Sequence, residues 1–404
     1  MIQLARNCLV TVLLGCLAIC MAWYGITYKK VLDKDYSFQK DHSSVLLYPE
    51  AWLLSGNMAY FADMDLEKAV EGFQRAIDDQ PMLVNAWLAL AKTELARGNE
   101  ESARRILHTL MPHISKVSYW KWQELLLSDE LREEEHFDRC FNFILNRLPL
   151  RVSDACYLAK DFWKNLETVL SHVRPENHQT FLNELVSMNE VDFALSLWRR
   201  MKADGTLSDV PGCLRFCCML IDNKRYADAR EVWTTWKGMM GYPTRIDIFD
   251  GGFEQEPLSK AFAWHIFKHA DFSIERSSER PIEGKKCLHL QFRGTRNIDF
   301  KEIYQYVPVE PGRTYRLKFA QRTRNLTTDQ GIYLEIKGIL YPDLYASSKP
   351  VNGTMQWRRD QLEFSVPDGC NAIVLGIRRK TSLMLNNKIS GDYWIDDISL
   401  EEAP

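Results

Sequence analysis

Hydrophobic positions change their spacing twice along this chain. From Cys8 to Ile26 the sequence reads CLVTVLLGCLAICMAWYGI, and no charge falls between Arg6 and Lys29. A run of that length covers a hydrocarbon core of roughly 30 Å as one helix. From Pro49 to about Tyr242 apolar residues recur every three or four positions, the helical period. After Pro243 short alternating runs separated by Gly, Pro and Asn take over, which predicts an all-β unit. The chain thus reads as a membrane anchor over 1–30, a linker over 31–48, helical repeats over 49–245 and an antiparallel β-sandwich over 246–404. The fold class is multidomain α plus β.

The helical stretch repeats itself. Ala69, Phe73 and Ala76 precede Ala103, Leu107 and Leu110 by 34 residues each, and Pro81 closes the earlier unit. Ala194, Trp198 and Met201 return at 35 residues as Ala229, Trp233 and Trp236. Between them, Tyr119 to Pro175 is helical but irregular, and about five to six helical hairpins are expected over the whole array. These residues resemble tetratricopeptide-repeat proteins over Pro49 to Ser115 and Phe181 to Trp236. The resemblance implies a right-handed solenoid whose concave face takes a peptide or a partner helix, with a rigid spacer as the plainer alternative.

In the C-terminal part, predicted strands run from Cys287 to Phe292, Tyr304 to Val309, Thr314 to Arg322, Ile332 to Ile336, Trp357 to Val366, Ala372 to Arg379 and Tyr393 to Leu400. Inward sets are legible, as in Leu288, Leu290 and Phe292, or Ile373, Leu375 and Ile377. Gly251-Gly252-Phe253-Glu254 looks like an opening strand, Glu283-Gly284-Lys285 leads into a second, and Tyr393 to Leu400 looks like a closing one. Together with the turn Val309 to Tyr315, these stretches resemble the jelly-roll carbohydrate-binding modules of bacterial glycan-active proteins. The three-part order also resembles bacterial envelope proteins that accompany exopolysaccharide synthesis. That resemblance implies a single-pass inner-membrane protein with its soluble part in the periplasm, assembling or guiding polysaccharide.

The module resemblance implies two sites. Carboxylates on the opening and closing strands hold a structural calcium in such modules, and Glu254, Asp396 and Asp397 stand at those positions; acids that are exposed or cap turns are the alternative. No other cofactor is expected. Sugar recognition needs aromatic planes and planar polar groups on a sheet face or loop rim. Arg316, Lys318, Tyr333, Glu335, Trp357 and Arg378 form the expected carbohydrate-binding set, with Tyr304, Tyr306, Tyr341 and Tyr345 nearby. Trp264 and Trp394 read as structural.

Charge and motifs narrow the classes. Lys plus Arg number 51 against 54 Asp plus Glu, and no basic stripe interleaved with aromatics calls for nucleic acid. GxSxG, HExxH, the phosphate-binding loop and the dinucleotide glycine fingerprint are all missing, and no carboxylate dyad stands out, so an enzyme is not expected. The ten cysteines show no metal spacing, and a disulfide between Cys287 and Cys370 is the one pairing open in the C-terminal part. At the N-terminus, a cleaved signal would want a small-x-small site and a polar mature start, and a lipobox at Leu13-Leu14-Gly15-Cys16 would want polarity after the cysteine. Neither follows, so an uncleaved anchor is expected. Trp23, Tyr24 and Tyr28, followed by Lys29 and Lys30, mark its interfacial end. The whole reads as a non-catalytic scaffold with a protein partner on its repeats and polysaccharide on its sandwich; a protein–protein adaptor with a structural sandwich is the alternative.

Overall fold

The computed structural model describes residues 2–33, 48–244, 248–385 and 387–403, with the backbone alone for residues 2–11, 31 and 32. Most of the predicted linker, including Lys34 and Asp35, and the predicted boundary at 245–246 lie outside these residues. The chain divides into two compact units, Met1–Phe181 and Leu182–Pro404.

The first unit opens with α1 (Ile2–Leu32). Among the described residues it is the one helix long and apolar enough to cross a membrane, over Val12–Lys30. Tyr24 and Tyr28 stack near its end, and Tyr48 meets both edge-on, with ring centroids 5.3 and 5.5 Å away. Eight further helices follow among the described residues: α2 (Pro49–Phe61), α3 (Leu66–Asp79), α4 (Val84–Ala96), α5 (Glu100–Ile114), α6 (Lys121–Glu130), α7 (Glu134–Arg147), α8 (Val152–Trp163) and α9 (Leu166–His172). Their turns carry the repeat in the backbone. Met64, Gly98 and Arg132 each have a left-handed φ, of 54°, 82° and 53°, and stand 34 residues apart. Each ends the first helix of a hairpin and turns the chain back. The side chains share the period, for Ala69, Phe73 and Ala76, like Ala103, Leu107 and Leu110, are buried between helices. Helices α2 and α3 approach closely because Gly56 faces Gly72: a Cβ on Gly72 would lie 2.9 Å from the Gly56 Cα.

The second unit joins helices to the sandwich. The chain enters it within α10 (His178–Ser187), and α11 (Val191–Ala203), α12 (Val210–Asp222) and α13 (Tyr226–Met239) complete two more hairpins, whose turns at Asn189 and Lys224 have φ of 58° and 61°. Trp233 and Trp236 of α13 stack 4.5 Å apart and hold Phe249, 5.2 and 6.0 Å away, against them. Arg230 pairs with Glu310 at 3.0 Å. These contacts bind the last hairpin to the β-strands, so the compact units part at residue 181 and not where helix gives way to strand.

Among the described residues ten strands build two antiparallel five-stranded sheets. The first, in the order β1-β4-β9-β6-β7, contains β1 (Trp264–Ile266), β4 (Phe300–Pro308), β9 (Ala372–Arg379), β6 (Tyr333–Gly338) and β7 (Tyr341–Ser347). The second, in the order β2-β3-β10-β5-β8, contains β2 (Phe272–Ser277), β3 (Cys287–Arg293), β10 (Ser390–Glu402), β5 (Thr314–Leu326) and β8 (Gly353–Ser365). Period-two alternation sends Leu288, Leu290, Leu317, Phe319, Ile303, Ile336, Leu375 and Ile377 into one shared core. The predicted inward sets are buried as read.

Three differences stand out. Gly251 to Glu254 forms a turn and not a strand, because Asp250 and Phe253 take φ of 51° and 55°. It still lies against the closing strand, where a Cβ on Gly251 would meet the Ile398 carbonyl at 1.9 Å, so only glycine fits. Strands β1, β2 and β7 are short or weakly alternating and escaped the sequence reading. Cys287 and Cys370 are both free and buried, with no disulfide between them, and burial pushes the Cys287 thiol up to about 12.

Candidate functional site

The outer face of the first sheet gathers what sugar recognition asks for. Register aligns His265, Tyr304, Gly376, Glu335 and Ser347 in one row across all five strands. The neighbouring row holds Tyr306, Val374, Lys337 and Tyr345, and on the other side Arg378 faces Tyr333. Alternation explains the segregation: Ile303, Leu334, Leu375 and Ile377 point into the core, so the residues between them point out.

Aromatic rings form one side of this face. Tyr304 stacks on His265 with centroids 4.8 Å apart and 4° between planes, and Tyr306 meets Tyr304 edge-on at 5.5 Å. Phe267 lies 6.1 Å beyond. Burial raises the Tyr304 phenol above its ordinary value.

Charged groups form the other side. Arg378 sits between Glu335, 3.3 Å from its Nε, and Asp299, 3.5 Å from Nη2, while Nη1 donates to the Phe300 carbonyl at 3.1 Å. Lys337 pairs with the same Glu335 at 2.8 Å. Tyr333 is sunk beside them, 5% exposed, and its hydroxyl has no hydrogen-bond partner. Desolvation, reinforced by the Glu335 charge, pushes that phenol up to about 12. A buried hydroxyl left unpartnered costs about 1–3 kcal/mol unless water or a ligand meets it.

Gly376 is the floor between the two sides. Gly376 is itself buried, and a Cβ there would stand in ordinary van der Waals contact with the Arg378 side chain, 3.6 Å from its Cδ, so a methyl is accommodated without a clash. Helix α13 bounds the Tyr306 end, with Tyr226 at 6.4 Å from Tyr306. Beside it a cavity of about 490 Å³ runs between Lys224 to Asp228 and Ile339 to Tyr341.

The predicted carbohydrate-binding set divides between the sheets. Tyr333, Glu335 and Arg378 come together on this face. Arg316 and Lys318 lie on β5 of the second sheet, where Arg316 pairs with Glu363 at 2.7 Å and Lys318 with Glu401 at 2.6 Å. Trp357, on β8 of that sheet, donates from Nε1 to the Arg280 carbonyl at 2.8 Å. Alternation tells which residues face outward but not on which sheet. His265 was missed as a face residue because its strand is three residues long, too short for a periodic signal.

The predicted calcium ligands do not assemble as a set. Asp396 is buried, and its Oδ2 accepts from the backbone N–H of Ile282 at 2.8 Å and Glu283 at 3.3 Å. Glu254 Oε1 accepts from Lys285 and Lys286 at 2.7 and 3.0 Å. Both carboxylates thus fasten the same turn before β3. Asp397, displaced by the bulge in β10, is ion-paired with Arg359. Among the described residues no three His, Cys, Asp or Glu side chains are placed to hold a metal. Backbone N–H groups thus meet both oxygens of Asp396 and one of Glu254.

No protein-family model and no curated protein matches the sequence. Solved structures similar to the chain include a family 16 carbohydrate-binding module, 17% identical over 38% of this chain and 99% of that one, at a TM-score of 0.28. TmCBM61 in complex with β-1,4-galactotriose is 17% identical over 39% of this chain and 99% of its own, at 0.29. A cyclase from Fischerella sp. is 13% identical over 39% and 96%, at 0.28.

Proposed function

We propose that the protein is a membrane-anchored, non-catalytic scaffold in an envelope or exopolysaccharide system, and that its sandwich binds a polysaccharide on the outer face of the first sheet. The observation that carries the reading is the row His265, Tyr304, Gly376 and Glu335: ring planes on one side, an ion-paired carboxylate on the other, and a glycine with no side chain between. Pyranose faces stack on Tyr304 and Tyr306, and hydroxyls exchange hydrogen bonds with Glu335, Arg378 and Tyr333. Cations and acids balance on this face, which suits a neutral chain.

The non-catalytic reading is supported by Glu335 and Asp299, which both pair with the Arg378 guanidinium, whereas glycoside hydrolysis asks for two carboxylates facing each other across the scissile bond. Helix α1 tethers the protein to the membrane. The helical hairpins offer a protein partner exposed apolar side chains, of which Leu150 and Tyr157 are the most prominent on the α7–α8 side.

Affinity electrophoresis of the detergent-solubilised full chain through gels cast with neutral and acidic polysaccharides tests this. Retardation by a neutral polysaccharide, abolished by Tyr304→Ala, is expected. Unchanged mobility in every gel would favour a protein–protein adaptor with a structural sandwich.

A further inference from the structure

A second groove, of about 760 Å³, opens in the first unit between the leading helices of successive hairpins. Helices α2, α4 and α6 each face it because the 34-residue period brings the first helix of every hairpin to the same side. Among the described residues its aliphatic lining is Leu88, Ala89 and Leu148, and the apolar surface is otherwise aromatic.

Tyr119 is 77% exposed and meets Trp120 edge-on at 4.6 Å, so its ring stands free in the groove. Trp122 carries the Arg151 guanidinium over its face at 4.8 Å. Amides lie between the rings: Asn57, Asn85 and Gln123 all line the groove. The charge is one-sided. Among the described residues Lys92 and Arg151 line it and no carboxylate does. Arg151 has Asp154 at 3.1 Å on its outer side, but the Lys92 ammonium, half-buried, donates to the neutral Gln123 Oε1 at 3.1 Å.

We propose that this groove is a second glycan site, taking an anionic oligosaccharide whose sugar rings stack on Tyr119 and Trp122, whose hydroxyls meet the amides, and whose acid groups pair with Lys92 and Arg151. It extends the glycan reading to another ligand class and another unit of the chain, and it stands or falls separately from the sheet face.

The test is isothermal titration of the full chain in nanodiscs with oligogalacturonate, repeated for Lys92→Met, Tyr119→Ala and, as a control on the other site, Tyr304→Ala. Oligogalacturonate is expected to bind, with affinity that falls as salt is added. Lys92→Met and Tyr119→Ala each weaken it about tenfold or more, and Tyr304→Ala leaves it unchanged. Tyr119 is exposed, so its variant keeps the wild-type melting temperature and loss of binding is not loss of fold. Absence of binding, or binding indifferent to Lys92→Met and Tyr119→Ala, overturns the proposal. Binding lost only in Tyr304→Ala assigns the anionic glycan to the sheet face instead. Hexaglutamate binding the groove where oligogalacturonate does not would make the occupant an acidic peptide and overturn it as well.

Discussion

Glu335 holds Arg378 across the β6–β9 pairing, 3.3 Å from carboxylate oxygen to guanidinium Nε, and the two side chains are 9% and 17% exposed. A pair so far withdrawn from water fixes the direction of both groups. Glu335→Gln removes the charge but not the shape, leaving Arg378 with Asp299 and the Phe300 carbonyl. The expected outcome is a stability loss of about 2 kcal/mol in chemical denaturation, together with weaker polysaccharide retardation than wild type.

Alkaline pH reaches the same corner through Tyr333. Its phenol titrates near 10 in the unfolded chain and about 12 in the fold, so between those values the folded state retains a proton that the unfolded state has lost. Stability contributed by this group is therefore complete below pH 10 and falls as pH rises toward 12. Stabilities of wild type and Tyr333→Phe across that range should diverge, wild type falling below the variant by up to about 1.4 kcal/mol per pH unit. Parallel curves would remove Tyr333 from the account.

Arg379 neighbours Arg378 but points into the protein. It is fully buried and donates to the Gln330 carbonyl at 3.2 Å, Asn297 Oδ1 at 3.1 Å and the Asn387 carbonyl at 3.0 Å. Ser382 is tied to Asn297 in turn, by its N–H at 2.9 Å. The exposed tip at Leu383 to Leu385 thus stands on a fixed polar base. Arg379→Met strands these acceptors and is expected to cost about 3 kcal/mol and to open the loop between β9 and β10 to limited proteolysis.

In the first unit, Lys121 and Glu124 form an ion pair of 2.6 Å with both side chains nearly inaccessible. Removing one partner leaves an uncompensated charge, so Glu124→Ala is expected to cost about 3–5 kcal/mol, and Lys121→Met with Glu124→Leu to restore most of it. A double-mutant cycle by chemical denaturation reads the difference.

How much of this was legible depends on the length of the pattern. The 34-residue recurrence of Ala69, Phe73 and Ala76 is carried by buried contacts within each hairpin, so it shows in sequence and again in the left-handed turns at Met64, Gly98 and Arg132. Strands β3, β5 and β9 alternate regularly enough to be read, whereas β7, as long as β3, does not. His265 and Tyr304 stack only because β1 pairs with β4, a partnership that no local pattern encodes. For the same reason Arg316 and Tyr333 looked equivalent as outward polar positions, although the strands that carry them belong to different sheets. The acids at Glu254 and Asp396 were correctly brought to one place, but the turn that fills their oxygens could not be seen without coordinates.

The most direct test of the central claim fills the floor of the face. A Cβ on Gly376 is accommodated in van der Waals contact with the Arg378 side chain, so Gly376→Leu projects a side chain outward between Tyr304 and Glu335, against the arginine stem and not into the core. Affinity electrophoresis of this variant beside wild type, in a gel cast with a retarding neutral polysaccharide, should show retardation lost while the melting temperature stays close to wild type. Retardation equal to wild type would contradict a glycan site on the outer face of the first sheet.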